Sequence, residues 1–318
     1  MKLKLLPLLL FTLLLLAEIL PSCKEFIEPS ISKRTMQLNA PADHYQSTSY
    51  TANFWWEGLE DALYYRLQVV TPTFDSIGSL VQDTLIRGTK FSQTLDPGTY
   101  QWRVRAENGS SQTGYTAPRE LTILASTLTN QTVLLSSPAN NTVTTQSAVT
   151  FKWGSLYKAT RYHLQVDTNS FASESTLVSD QVIPGQQFAF KLPKDQVYQW
   201  RVRAENDSSQ SKWSAISQLS FDSTPPGNVT LIQPGDNTTL NRPVALSWNK
   251  TTSAVTYKLY IYKSDQSTLY DTFPLSLTVT SYTFNTGNSG DRVYWQVSAV
   301  DAAGNEGKAS AIRSFTLQ

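Results

Sequence analysis

"YQWRVRAENGSSQT" (Tyr100–Thr113) returns almost letter for letter as "YQWRVRAENDSSQS" (Tyr198–Ser211), 98 residues further along a chain of 318. Internal repetition on that scale fixes an architecture before any site can be sought. Inside the phrase, Tyr100, Trp102, Val104 and Ala106 alternate with Gln101, Arg103 and Arg105. A period of two marks a strand with one face on a core and the other in water.

Other landmarks keep the same step. "FWWEGLEDALYYRLQVV" (Phe54–Val70) returns as "FKWGSLYKATRYHLQVD" (Phe151–Asp167) and, more loosely, as "LSWNKTTSAVTYKLYIY" (Leu246–Tyr262). Trp56, Trp153 and Trp248 are 97 and 95 residues apart, and Trp102, Trp200 and Trp295 are 98 and 95 apart. Pro41-Ala42-Asp43, Pro138-Ala139-Asn140 and Pro234-Gly235-Asp236 precede the three units. The chain therefore divides into three copies of one module, at residues 36–125, 128–222 and 226–318. Turn formers such as Asp96-Pro97-Gly98 and Ala303-Gly304-Asn305 separate the alternating runs, and no apolar period of 3.6 holds for three turns after residue 30. Modules of this length, built of short strands and turns, are expected to be two-sheet sandwiches.

The module resembles the fibronectin type III domain. The resemblance rests on a Trp followed by a Tyr-x-Leu-x-Val strand, then "LDPGTYQWRVRAEN" (Leu95–Asn108), which is similar to that family's Leu-x-Pro-x-x-Tyr corner. Copy two has Leu192, Pro193 and Tyr198 there, and "KWS" at Lys212 stands where the family often ends a loop. Copy three departs, with Val293 at the Tyr position, no Leu-x-Pro before it, and the hairpin "AVDAAGNEGKAS" (Ala299–Ser310). The fold class implied is all-β, three tandem fibronectin-type-III-like sandwiches. Such sandwiches host many functions, so this resemblance names none.

Residues 1–22 read as a lipoprotein signal peptide. Lys2 and Lys4 precede a leucine-rich run, Leu5–Leu20, whose 16 residues fall short of a membrane span of roughly 20. "LPSC" (Leu20–Cys23) resembles a bacterial lipobox, which implies that Cys23 is acylated and leaves residues 23–35 as a polar tether. Cys23 is the only cysteine, so disulfides and thiolate zinc sites within the chain are excluded; the alternative is a free thiol. Several acyl chains at one residue give lasting attachment, at about 0.8 kcal/mol per buried methylene. Glu25 and Glu28 in "KEFIE" partly resemble the surface-export signal of Bacteroidetes lipoproteins. Asp75-Ser76-Ile77, Asp83-Thr84-Leu85 and Asp222-Ser223-Thr224 resemble O-glycosylation triplets of that phylum. The expected address is the outer membrane, facing the cell surface, with the periplasmic face as the alternative.

Chemistry has little material. Net charge is +1 and charged residues make up 16 % of the chain, which gives no basic excess for nucleic acid. His44 and His163 are the only histidines, and neither has a second at metal-ligand spacing. His163, on an outward strand face, reads as a solvated surface residue. No phosphate loop, nucleophile elbow or EF-hand loop is present, so no catalytic residue, metal or cofactor is assigned.

Binding remains, and the copies act as controls for one another. Tyr260, Tyr262 and Tyr294 occupy outward positions of copy three where the other copies lack them. If the two strands are neighbours, as the resemblance implies, the three form an exposed aromatic patch for a sugar ring or a protein partner; the alternative is cross-strand packing. Secondary candidates are outward Arg66, Arg103 and Arg105 in copy one, His163 in copy two, and Trp55, whose counterparts are Lys152 and Ser247. Arg161, Arg201 and Arg203 repeat the arginine row in copy two, with Glu107 and Glu205 as partial neutralisers. The expected protein is a non-catalytic outer-membrane lipoprotein, a spacer and interaction module joined to an envelope partner. Surface capture of glycan is the alternative. The Pro225-Pro226 junction is expected to be stiff.

Overall fold

The computed structural model describes residues 28–270 and 272–318. Cys23 and the signal-peptide reading lie outside the described residues. The described chain is all-β, and each copy carries eight strands. Copy one has β1 (Leu38–Ala40), β2 (Tyr45–Ser47), β3 (Thr51–Trp56), β4 (Tyr64–Pro72), β5 (Ile77–Ile86), β6 (Lys90–Thr94), β7 (Gly98–Glu107) and β8 (Arg119–Ile123). They form a three-stranded sheet, β1-β3-β6, and a five-stranded sheet, β2-β8-β7-β4-β5.

Copy two repeats this with β9 (Leu135–Ser137), β10 (Thr142–Thr144), β11 (Ala148–Trp153), β12 (Arg161–Asp167), β13 (Ser179–Ile183), β14 (Gln187–Lys191), β15 (Gln196–Glu205) and β16 (Ser217–Phe221). Copy three has β17 (Leu231–Gln233), β18 (Thr238–Leu240), β19 (Val244–Trp248), β20 (Ala254–Tyr262), β21 (Leu275–Leu277), β22 (Ser281–Phe284), β23 (Arg292–Asp301) and β24 (Arg313–Leu317). Their five-stranded sheets run β10-β16-β15-β12-β13 and β18-β24-β23-β20-β21, so the topology is the same three times. Copies two and three, with Ser49–Thr51 and Gln93–Asp96, belong to one compact unit, and the rest of copy one forms the other.

The alternation read from the opening phrase is the alternation observed. Tyr100, Trp102, Val104 and Ala106 are buried, as are Tyr198, Trp200, Val202 and Ala204. The two layers meet through Phe54 against Trp102, at 5.1 Å between ring centroids, and Phe151 against Trp200, at 4.9 Å. Leu246, Trp248, Tyr257, Leu259, Phe284 and Trp295 form the matching core of copy three. In every copy the inward tyrosine of the Tyr-x-Leu strand also ties down a loop. The Tyr65, Tyr162 and Tyr257 hydroxyls accept from the amides of Leu59, Leu156 and Thr251 at 2.8, 2.9 and 3.0 Å.

The Pro-Ala-Asp landmarks mark where the chain changes sheets. His44, Asn141 and Asn237 hold φ of 57°, 63° and 59°, in the left-handed region that Asn and His tolerate better than most residues. The residue before each uses its carboxylate or amide oxygen to bind the last strand. Asp43 accepts from the Glu120 amide, Asn140 from Gln218 and Asp236 from Ser314, at 2.7, 2.9 and 2.8 Å. His44 is thereby accounted for by a turn.

The end of the repeated phrase is conserved between copies for a second reason. The Asn108 and Asn206 side-chain oxygens accept from the amides of Ser111 and Ser209 at 2.8 and 2.9 Å, closing the hairpin as an Asx turn. Residues 28–34 pack onto this hairpin in copy one. Ile31 is fully buried, the Glu28 carboxylate accepts from the Gly109 amide at 2.6 Å, and Arg34 meets Asp61 at 2.8 Å. The second half of the expected tether is therefore docked. Among the described residues, no helix is long and apolar enough to cross a membrane.

The outward face of the five-stranded sheets

The candidates of copy one, Arg66, Arg103 and Arg105, come together on the outward face of β4 and β7, where Arg66 opposes Arg105 and Gln68 opposes Arg103. They are not free. The Arg66 guanidinium donates to Asp83 and to Glu107, both at 2.9 Å, and Arg105 donates to the same Glu107 oxygen at 2.9 Å. Arg103 donates twice to the Gln68 amide oxygen, at 3.0 and 2.9 Å. Its guanidinium also lies between two rings, 4.0 Å from Phe74 and 4.2 Å from Tyr115, and Arg105 covers Tyr115 at 4.8 Å. Each cation is stacked, paired or both, so an acidic ligand would compete with carboxylate, amide and ring contacts already made.

Copy two builds the same ladder. Arg201 lies 4.1 Å from Phe171 and 4.3 Å from Trp213, and Arg203 covers Trp213 at 4.6 Å. Arg201 donates to Gln165 at 3.0 and 2.7 Å, and Arg203 donates to Glu205 at 2.8 Å. The "KWS" tryptophan is thus the rung between two arginines.

His163 corrects its sequence reading. Its side chain is only 16 % exposed. One ring nitrogen bonds Asp180, and the other lies 3.3 Å from Glu205 and 3.1 Å from the Arg203 guanidinium. The ring packs 5.4 Å from Trp213. It stands where copy one has Arg66 and copy three has Lys258, so each sheet places a basic side chain there against a carboxylate. Burial opposes the charge of Glu205, yet Arg203 and His163 hold its pKa below the ordinary carboxylate range. Arg66 and Arg105 do the same for Glu107, also against burial.

In copy three the ladder stops. Gln296 and Ser298 replace the two arginines, and the tyrosines take over the face. Tyr262 opposes Tyr294 in register, and Tyr260 stacks on Tyr262 with centroids 6.4 Å apart and planes 7° from parallel. The structure brings all three together but leaves each half-buried rather than exposed. Neighbours cover their edges. The Tyr260 hydroxyl donates to Glu306 at 2.9 Å, Gln296 donates to the Tyr262 hydroxyl at 2.9 Å, and the Arg292 guanidinium lies 5.4 Å from the Tyr294 ring. Burial, then Glu306, raises the Tyr260 pKa. Glu306, from the hairpin, also takes Lys258 at 2.6 Å and Ser298 at 2.6 Å.

Trp55 belongs to none of this. It lies on the outer face of the three-stranded sheet, 45 % exposed, with the Lys90 ammonium 5.2 Å from its ring. Among the described residues no three His, Cys, Asp or Glu side chains are grouped to hold a metal.

No protein-family model matches the chain, and no curated protein matches it. Among solved structures, the FN1–FN3 domains of chicken CNTN1 are similar at 14 % identity and TM-score 0.41, covering 89 % of this chain and 98 % of that one. The fibronectin(III)-like modules of Clostridium thermocellum CbhA are similar at 13 % identity and TM-score 0.36, covering 58 % of this chain and 92 % of that one. The fold assignment stands on the strand order and cores described above: three fibronectin-type-III-like sandwiches in one chain.

Proposed function

We propose that this chain is a non-catalytic lipoprotein of the outer membrane, held by acyl chains on Cys23 and facing the cell surface. Its first two sandwiches serve as a spacer, and the third carries the surface that engages an envelope protein partner. One observation carries the division of labour: the outward sheet is covered by an arginine–aromatic ladder in copies one and two and presents stacked, half-buried tyrosines in copy three. Tyrosine supplies amphipathic contact area with little entropy to lose, which suits a recognition surface. Glycan capture at the same face is the second reading, favoured by the near-parallel Tyr260 and Tyr262 rings. The docked segment sets the reach, because five peptide steps from Cys23 to Glu28 span at most roughly 17 Å.

Anchoring is tested by Cys23→Ser. The variant should lose labelling by a palmitate analogue and move to the unprocessed or soluble fraction. Labelled, membrane-bound variant protein after detergent-free washing would refute the lipid anchor.

A further inference from the structure

Copy three holds a cavity of about 440 Å³, within the range of small-molecule sites. Its walls include Lys263, Tyr270, Asn288, Asp291 and Arg292. It arises where copy three abandons the tyrosine corner. In copy two the corner is shut by Tyr198, whose hydroxyl donates to the Lys194 carbonyl at 2.7 Å and accepts from its amide at 3.2 Å. Copy three puts buried Val293 at that position and precedes it with a segment bracketed by Gly287 (φ +96°) and Gly290 (φ +89°).

That segment is held open in a defined shape. A Cβ on Gly287 would fall 2.8 Å from the Leu317 Cδ1 and 3.2 Å from the Tyr270 hydroxyl. The Asn288 amide donates to Asp291 at 2.7 Å, and Arg242 donates to the Gly287 carbonyl at 2.6 Å. Arg292 is oriented by Asn237 and by Ser314, the latter at 3.2 Å. The Lys263 ammonium lies 5.9 Å from the Tyr270 ring. Among the described residues, neither Lys263 nor Arg292 has a carboxylate within ion-pair distance, unlike Arg66, Arg105 and Lys258 on the sheets.

We propose that this cavity binds a carboxylated saccharide, a uronic acid unit, with its carboxylate between Lys263 and Arg292 and its hydroxyls on Asn288 and Asp291. Two cations ask for an anion, and the planar guanidinium suits a carboxylate. Asp291, an acceptor among them, asks for a ligand that also donates, which sugar hydroxyls do and a phosphate diester does not. Polar walls exclude a purely apolar ligand. Arg292 opens β23 and its guanidinium also lies 5.4 Å from the Tyr294 ring, so it is Lys263, in the loop after β20, that separates this site from the tyrosine face.

Calorimetric titration of the full chain in detergent tests it, with trigalacturonate, a glucuronate disaccharide and the neutral methyl ester of trigalacturonate as probes. At least one uronate should bind, its ester about tenfold or more weaker, which corresponds to about 1.4 kcal/mol. Lys263→Gln and Arg292→Gln should each weaken uronate binding about tenfold while leaving the thermal midpoint in place. Lys263 is exposed, so its variant keeps the test valid if the Arg292 change perturbs folding. Equal binding of acid and ester, no uronate binding, or equal binding of an acetylated peptide carboxylate would each overturn the proposal. No partner protein is present in this titration, so its failure leaves the partner reading standing.

Discussion

Tyr257→Ala should cost the third sandwich about 3–5 kcal/mol, the usual loss when a buried aromatic is truncated. Two effects act together. The ring is buried and lies 5.8 Å from Trp248, so its removal leaves a cavity between the sheets. The Thr251 amide, bonded to its hydroxyl at 3.0 Å, also loses its partner. Denaturant unfolding followed by tryptophan fluorescence measures this. Tyr260, Tyr262 and Tyr294, half-buried on the outer face of the same sheet, provide the contrast. Replacing all three with Ser should leave a folded third sandwich, because no cavity opens in the core. A Tyr257→Ala loss below about 1 kcal/mol would place the core elsewhere.

Glu205→Gln should destabilise the second sandwich by about 2 kcal/mol at neutral pH, through the cations it leaves behind. Its side chain is only 8 % exposed, and Arg203, Arg161 and His163 all converge on it, at 2.8, 3.4 and 3.3 Å. The amide keeps a hydrogen-bond acceptor, which holds the cost below that of a fully buried, unpaired charge. The effect carries a pH signature. The folded Glu205 pKa is depressed, so its stabilisation is complete above the unfolded carboxylate range and is lost as pH falls through the folded value. Wild type and variant should therefore differ at pH 7 and converge in acid. A difference that persists unchanged at low pH would mean that the carboxylate charge is not the source.

The repeats, the inward tryptophans and the sheet alternation were legible because strand periodicity is local and each copy checks the next. The arginine ladder was half legible. Arg103 and Arg201 stood out as an outward row, but the aromatic rungs Phe74, Tyr115, Phe171 and Trp213 come from loops. No period in the sequence announces a contact between a loop ring and a strand guanidinium. Arg66, His163 and Lys258 occupy one position of the repeat, and that shared basic character is the signal in the sequence for the His163 ion pair. The docking of Ile31 had one signal, an isolated apolar residue in a polar segment. The cavity had only its outline, since the missing corner tyrosine was visible in Val293 but the approach of Tyr270, from a different loop, to Gly287 was not.

Site-specific photo-crosslinking in the native envelope tests the division of labour most directly. A photoreactive phenylalanine analogue would replace Tyr260 or Tyr294 in copy three, and Gln101 or Gln199, the counterparts of Tyr294, in copies one and two. One discrete crosslinked protein is expected from the copy-three positions and none from Gln101 or Gln199. The same adduct from all three copies, or adducts from copies one and two alone, would contradict it.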